Sequence, residues 1–177
     1  MTDRTRIAIG VLTLSAAAFV ARISHEGYTN AAIIPTKGDV PTVGFGSTVR
    51  EDGTRVQMGD KTDPVRAART ALVHFQRDEA KIKQCIGPQV TLHQVEFDLY
   101  SELAYNIGTT TFCINKKTGG PGVIPRNLQA GDYAGACDGI LQYKFAAGFD
   151  CSTPGNKRCA GVWTDRLRLH KLCMEAQ

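Results

Sequence analysis

Three glycines within nine residues punctuate the stretch Gly38-Asp39-Val40-Pro41-Thr42-Val43-Gly44-Phe45-Gly46-Ser47-Thr48. Glycine and proline at that density exclude a continuous helix, because both interrupt its run of hydrogen-bonded turns. The β-branched residues between them favour a strand. The stretch therefore reads as a hairpin, and Glu51-Asp52-Gly53-Thr54 supplies a second turn between Val49 and Val56. Residues 40–58 are expected to form a small antiparallel sheet. Gly44 and Gly46 either let the backbone come close to a ligand or permit strand curvature.

Ahead of the hairpin, Glu26-Gly27-Tyr28 closes a helix-like segment. One carboxylate thus stands at a helix end, and a second, Asp39, stands with Thr42 where the hairpin begins. A glycosidic bond is cleaved by two carboxyl groups, one protonated to assist the leaving oxygen and one ionised on the opposite face. Glu26 is the candidate acid, Asp39 the candidate second carboxylate, and Thr42 a short hydroxyl able to hold the attacking water. Each also has a plain structural reading: an exposed Glu at a helix end, an Asp bonding its own turn, and a β-branched strand residue. Ser47 and Thr48 read as polar strand residues, and His25 as a modulator of charge beside Glu26.

These segments, followed by Leu103-Ala104-Tyr105-Asn106-Ile107-Gly108 and by Ala160-Gly161-Val162 ahead of an Arg-rich helix, resemble in order the phage-type lysozymes, glycoside hydrolase family 24. More narrowly they resemble phage endolysins that begin with a signal-anchor-release helix. The resemblance implies an α+β, lysozyme-like fold: a small antiparallel sheet lobe, a larger mainly helical lobe, and an N-terminal anchor helix. On that reading residues 1–25 are the anchor and 26–177 the catalytic domain, with 26–60 the sheet lobe and 61–177 the helical lobe. The implied reaction is hydrolysis of the β-1,4 bond between N-acetylmuramic acid and N-acetylglucosamine in peptidoglycan. Glu26 protonates the leaving oxygen, Asp39 and Thr42 act on water, and no cofactor or metal takes part.

Tyr105 and Asn106 fall where the family lines its substrate cleft, although Asn106-Ile107-Gly108 is also a helix-ending signal. Asp39 departs from the family's commonest spacing: it lies three residues before Thr42, and the position six before is Thr36. Two other functions compete. A lytic transglycosylase uses one Glu and lets the substrate's own hydroxyl attack; a noncatalytic periplasmic module binds glycan or a partner. The net charge of +4 is below the density of a nucleic-acid binder and suits the carboxylates of murein. A monomer is expected.

Residues 7–21 form an uncharged run preceded by Arg4 and Arg6 and closed by Arg22. The run is shorter than the roughly 20 apolar residues that span a bilayer, and Gly10, Thr13 and Ser15 dilute it. It can be a cleaved signal peptide, with Ala16-Ala17-Ala18 as the cutting site, or a buried helix. The resemblance implies a third form: an uncleaved helix that exports the chain, tethers it transiently to the inner membrane, and then slips into the periplasm. The anchor carries no cysteine, so control of release is topological rather than redox.

All six cysteines, Cys85, Cys113, Cys137, Cys151, Cys159 and Cys173, follow the candidate catalytic segment, and none forms a CxxC pair. That spacing argues against zinc and for disulfides in an oxidising compartment. Fifteen pairings exist, and sequence does not choose among them. The expected set is Cys85 with Cys113, Cys137 with Cys173, and Cys151 with Cys159.

Thr62-Asp63-Pro64 announces a helix running to about Gln84. Thr91-Leu92-His93-Gln94 matches a capping box ahead of an apolar stripe of Leu92, Val95, Leu99 and Leu103. From Thr109 to Gly122 the chain reads as irregular. Further helices are expected from Arg126 to Gly131, after Asp132, and after Thr164, the last with Val162, Trp163, Leu167 and Cys173 inward. No function is apparent for the insertion at 150–158.

Overall fold

A computed structural model describes residues 5–36 and 38–177, and of His25 the backbone alone. The expected effect of the His25 side chain on local charge therefore lies outside the described residues. Contacts group the chain into two compact units, Leu14–Glu79 and the residues up to Thr13 with Ala80–Gln177.

In the first unit, α1 (Ala16–Glu26) starts where the Ser15 hydroxyl accepts the Ala18 N–H at 3.1 Å. Phe19 of α1 meets Phe75 of α2 (Pro64–Ile86) edge-on, with ring centroids 5.7 Å apart. The Arg22 guanidinium lies 4.7 Å from the centre of the Phe75 ring. The unit runs to Glu79. Helix α2 begins as its sequence signal predicts: Asp63 Oδ1 accepts the Arg66 N–H at 2.9 Å and Pro64 takes the first helical position.

Strand β2 (Thr29–Ile33) pairs antiparallel with β3 (Thr42–Gly44), Thr29 opposite Gly44 and Ile33 opposite Thr42, with an irregular register between. On its other edge Ala32 N donates to Asp60 O and Thr62 N to Asn30 O, each at 2.9 Å. The sequence-based sheet began at residue 40 and missed β2, whose Thr-Asn-Ala-Ala start lacks apolar alternation. The turn at Glu51–Thr54 is present, closed by a bridge between Val49 and Arg55.

The second unit packs around α3 (Gln94–Ile107), whose Phe97, Tyr100, Leu103 and Ala104 are fully buried. Ile9 and Leu12, each 1% exposed, join this core. Strand β1 (Ile7–Ala8) pairs antiparallel with β4 (Thr91–Leu92). The run 7–21, expected as one helix, is therefore divided into a strand, a tight turn at Ile9–Val11, and α1. Ser15 caps a helix that starts after it, Gly10 is a weak helix former, and Ile9 and Leu12 find seats in the second unit's core. Among the described residues no helix is long and apolar enough to cross a membrane.

Three other starts differ from expectation. Thr91 and Leu92 are taken up by β4, so α3 begins at Gln94, and the residue reaching back is Glu96, which accepts the His93 N–H at 2.7 Å. Helix α4 (Thr109–Cys113) occupies part of the stretch read as irregular, and α5 (Val123–Gln129) starts before Arg126. Asp132 caps α6 (Tyr133–Gly139) as expected, accepting the Gly135 N–H at 2.8 Å. A short hairpin of β5 (Phe145–Ala146) and β6 (Phe149–Asp150) follows. Helix α7 (Ala160–Met174) begins before Thr164, and its buried residues are Arg166, Leu169 and Cys173, while Leu167 is 45% exposed. Disulfides join Cys85 to Cys113, Cys137 to Cys173 and Cys151 to Cys159, the set expected from sequence and all in the second unit.

The Glu96 side chain is fully buried and also receives Arg6, whose Nε and Nη2 lie 3.2 and 3.1 Å from its two oxygens, and Gln177 Nε2 at 2.8 Å. Removing one partner of a buried charge pair strands the other in a medium that solvates it poorly. Glu96→Ala is expected to lower the unfolding free energy by about 3 kcal/mol, read as a fall in the urea midpoint; an unchanged midpoint contradicts this.

Candidate active site

Glu26 is the last residue of α1, exposed, and followed by Gly27. The hairpin reaches it at Gly46. The φ of Gly46 is +69°, and a Cβ built there would stand 3.1 Å from Glu26 Oε2. The Gly46 backbone thus comes close to the candidate acid, whereas the alternatives read from sequence were approach to a ligand or strand curvature. Its neighbour Phe45 packs against Tyr28 with ring centroids 5.5 Å apart, and the Tyr28 hydroxyl donates to Thr62 O at 3.2 Å. The Tyr28–Phe45 contact thus ties the chain just after Glu26 to the hairpin.

Thr42, half-buried, opens β3. Asp39 lies in the loop before it, and its backbone N–H donates to Thr36 O at 3.0 Å. Its Oδ2 accepts the Thr36 hydroxyl at 3.2 Å and its Oδ1 the Val40 N–H at 2.9 Å. The turn-forming reading of Asp39 is therefore realised, with Thr36 as partner. Glu26 and the hairpin meet at Gly46, after β3, whereas the Asp39 turn precedes that strand. Tyr105, half-buried, and Asn106, exposed, occupy the last turn of α3 in the second unit.

An ion pair fixes the loop that follows the hairpin. Arg50 Nε donates to Asp60 Oδ2 at 2.9 Å and its Nη2 to Oδ1 at 2.8 Å. The hydrogen-bonded guanidinium holds the Asp60 carboxyl below its ordinary range, and the carboxylate raises Arg50 in return. A cavity of about 600 Å³ lies beside this pair, lined by Val43, Arg50, Lys61 and Thr70 among others. Neither Glu26, Asp39 nor Thr42 lines it. From β3 it is Val43 and Gly44 that line the cavity. Among the described residues no three His, Cys, Asp or Glu side chains gather as a metal would need.

Sequence reasoning missed the Tyr28–Phe45 contact and the Arg50–Asp60 pair. The first had a signal, since both aromatics stand among small residues in turns. The second had none, because charge pairing across ten residues of loop carries no periodicity.

The phage lysozyme family profile matches residues 23–164, a span that holds every candidate residue from Glu26 to Asn106. The chain belongs to the phage lysozyme family. It is accordingly a lysozyme-type glycosidase, a phage endolysin that cleaves bacterial peptidoglycan and acts outside the cytoplasm, where that polymer lies. In fold it is similar to the endolysin from Escherichia coli O157:H7 phage FAHEc1, at 22% identity and a TM-score of 0.70 over 95% of this chain and 97% of that one. It is similar also to a mutant P22 lysozyme, at 24% identity and 0.69 over 93% and 99%. The active form of P1 phage endolysin Lyz matches at 18% identity and 0.69 over 96% and 95%. Curated sequences give no match.

Adding a methyl group at Gly46 pushes on Glu26 Oε2 and strains a left-handed backbone position. Gly46→Ala is expected to cut peptidoglycan turnover by about threefold to tenfold, less than the roughly hundredfold of a 1 Å displacement at a reacting group. Its far-ultraviolet circular dichroism should be unchanged. Full activity in this variant contradicts the contact.

Proposed function

We propose that the protein is a muramidase of glycoside hydrolase family 24 that cleaves the β-1,4 bond between N-acetylmuramic acid and N-acetylglucosamine. The observation that carries this reading is the approach of Gly46 to Glu26 Oε2, which brings the candidate acid to the hairpin that bears Thr42. Glu26 gives its proton to the glycosidic oxygen as the bond from the anomeric carbon to that oxygen breaks. Water adds to the anomeric carbon and loses a proton to the second carboxylate. Thr42 and Asp39 hold that water. An ionised carboxylate offers about four acceptor sites, so the two local bonds of Asp39 leave it capacity for water while fixing the turn that leads into Thr42. Tyr105 and Asn106 contact the glycan. No cofactor is needed, and the enzyme acts as a monomer.

The same bonds favour a second role for Asp39, that of holding the turn alone. The transglycosylase chemistry predicts the same dispensability of Asp39, but different products. Murein digestion by the wild type, Glu26→Gln and Asp39→Ala, with mass spectrometry of the soluble fragments, separates these cases. Reducing N-acetylmuramic acid ends from the wild type, none from Glu26→Gln, and at least a hundredfold fewer from Asp39→Ala are expected. Anhydro ends refute the hydrolase assignment, and unimpaired Asp39→Ala refutes its role on water.

The chain is exported uncleaved, with residues 7–21 tethered to the inner membrane until release. Two observations support this: the burial of Ile9 and Leu12, which gives the freed segment a destination, and the likeness to the active form of the P1 endolysin. Gly10 and Thr13 are exposed, and nothing lies within 4 Å of a Cβ at Gly10. Gly10→Leu with Thr13→Leu should therefore leave the released fold intact while strengthening the tether. In fractionated host cells the variant is expected in the membrane pellet and lysis is expected to be delayed; release at the wild-type rate refutes the tether.

A further inference from the structure

The β5–β6 hairpin is apolar and outward-facing. Phe145 is 64% exposed and Phe149 41%, and the five residues from Phe145 to Phe149 carry no charge or hydrogen-bonding side chain. Ala147 and Gly148 form the turn with φ of +49° and +82°. Two positive φ values mark the tight hairpin turn in which Asn or Asp ordinarily precedes Gly. An alanine there accepts backbone strain and keeps the tip free of polar groups.

Cations surround the base. Lys144 pairs with Asp150 at 2.8 Å, and Lys157 and Arg158, both exposed, belong to the loop that the Cys151–Cys159 disulfide ties back beneath the hairpin. Asp150 is the only acid from 144 to 159, so the segment carries two net positive charges at neutral pH. Phe145 stands opposite Asp150 and Ala146 opposite Phe149. Opposed residues share a face and neighbours alternate, which puts the two phenylalanines on opposite faces.

We propose that this hairpin is a wedge that inserts into the surface of a bilayer carrying anionic lipids, Phe145 and Phe149 entering the acyl boundary while Lys144, Lys157 and Arg158 meet the headgroups. The geometry disfavours a glycan as occupant. A sugar stacks on an open aromatic face, but the Arg158 guanidinium already lies 4.5 Å from the Phe149 ring centre and Lys144 Nζ lies 5.5 Å from that of Phe145. Two rings on opposite faces make a wedge and not a platform. The proposal assigns a use to the 150–158 insertion and is independent of the roles given to Glu26, Asp39 and Thr42.

The test is co-sedimentation of the full chain with vesicles of phosphatidylglycerol and phosphatidylcholine, and with phosphatidylcholine alone. Phe145→Ser with Phe149→Ser should lower partition into the anionic vesicles by about tenfold or more. Lys157→Gln with Arg158→Gln should lower it about fivefold per charge and remove the preference for anionic lipid. Ala147→Asn suits the turn better, so it should hold or raise the thermal midpoint while weakening partition, an outcome that misfolding does not produce. Digestion of purified murein should be unchanged in all three. Phe145→Trp should add a blue-shifted emission with anionic vesicles beyond that of Trp163. Partition that is absent in the wild type, or equal in the variants, overturns the proposal. So does a loss seen in binding to purified murein and not to vesicles, which assigns the hairpin to glycan.

Discussion

The buried carboxylate of Glu96 is the point on which both ends of the chain converge. It takes the backbone N–H that opens α3, the guanidinium of Arg6 and the amide of Gln177. A fully buried charge is tolerated only when its lone pairs are met, so Arg6 and Gln177 both help the second unit to close. Residue 6 lies at the threshold of the run proposed as the tether. Pulling that run into a membrane removes Arg6 from Glu96 along with Ile9 and Leu12 from the core. Under the proposed tether, release and consolidation of this unit become one equilibrium, in which Ile9 and Leu12 exchange lipid for the protein core.

Much of this architecture was legible in sequence where a local rule had no competitor. Asp63-Pro64 started α2 and Asp132 started α6, because capping acts within four residues and nothing distant opposes it. The cysteine pairs also matched. The run 7–21 misled because length and hydropathy describe a helix in lipid equally well, whereas the partner that turns Ile7 and Ala8 into a strand is Thr91-Leu92, far along the chain. That same pairing displaced the capping signal at Thr91. Strand β2 was invisible for a related reason: its place is set by neighbours on both edges and not by its own pattern.

For the site, the residue types were readable but their relations were not. The sequence left Gly46 between strand curvature and approach to a ligand, and gave no sign that Glu26 stands beside it. Asp39 shows the reverse, since its bonds to Thr36 and Val40 give substance to the plain structural reading. The Thr36 hydroxyl donates to Asp39 and so supports the turn that precedes Thr42. The cavity beside Arg50 and Asp60 is lined by none of Glu26, Asp39 and Thr42, so concavity did not lead to the residues that the sequence singled out.

All three disulfides lie within Ala80–Gln177, and Leu14–Glu79, which bears Glu26, Asp39 and Thr42, contains no cysteine. The segment that carries Glu26, Asp39 and Thr42 is therefore held without covalent cross-links, and it has no thiol of its own to be oxidised or exchanged.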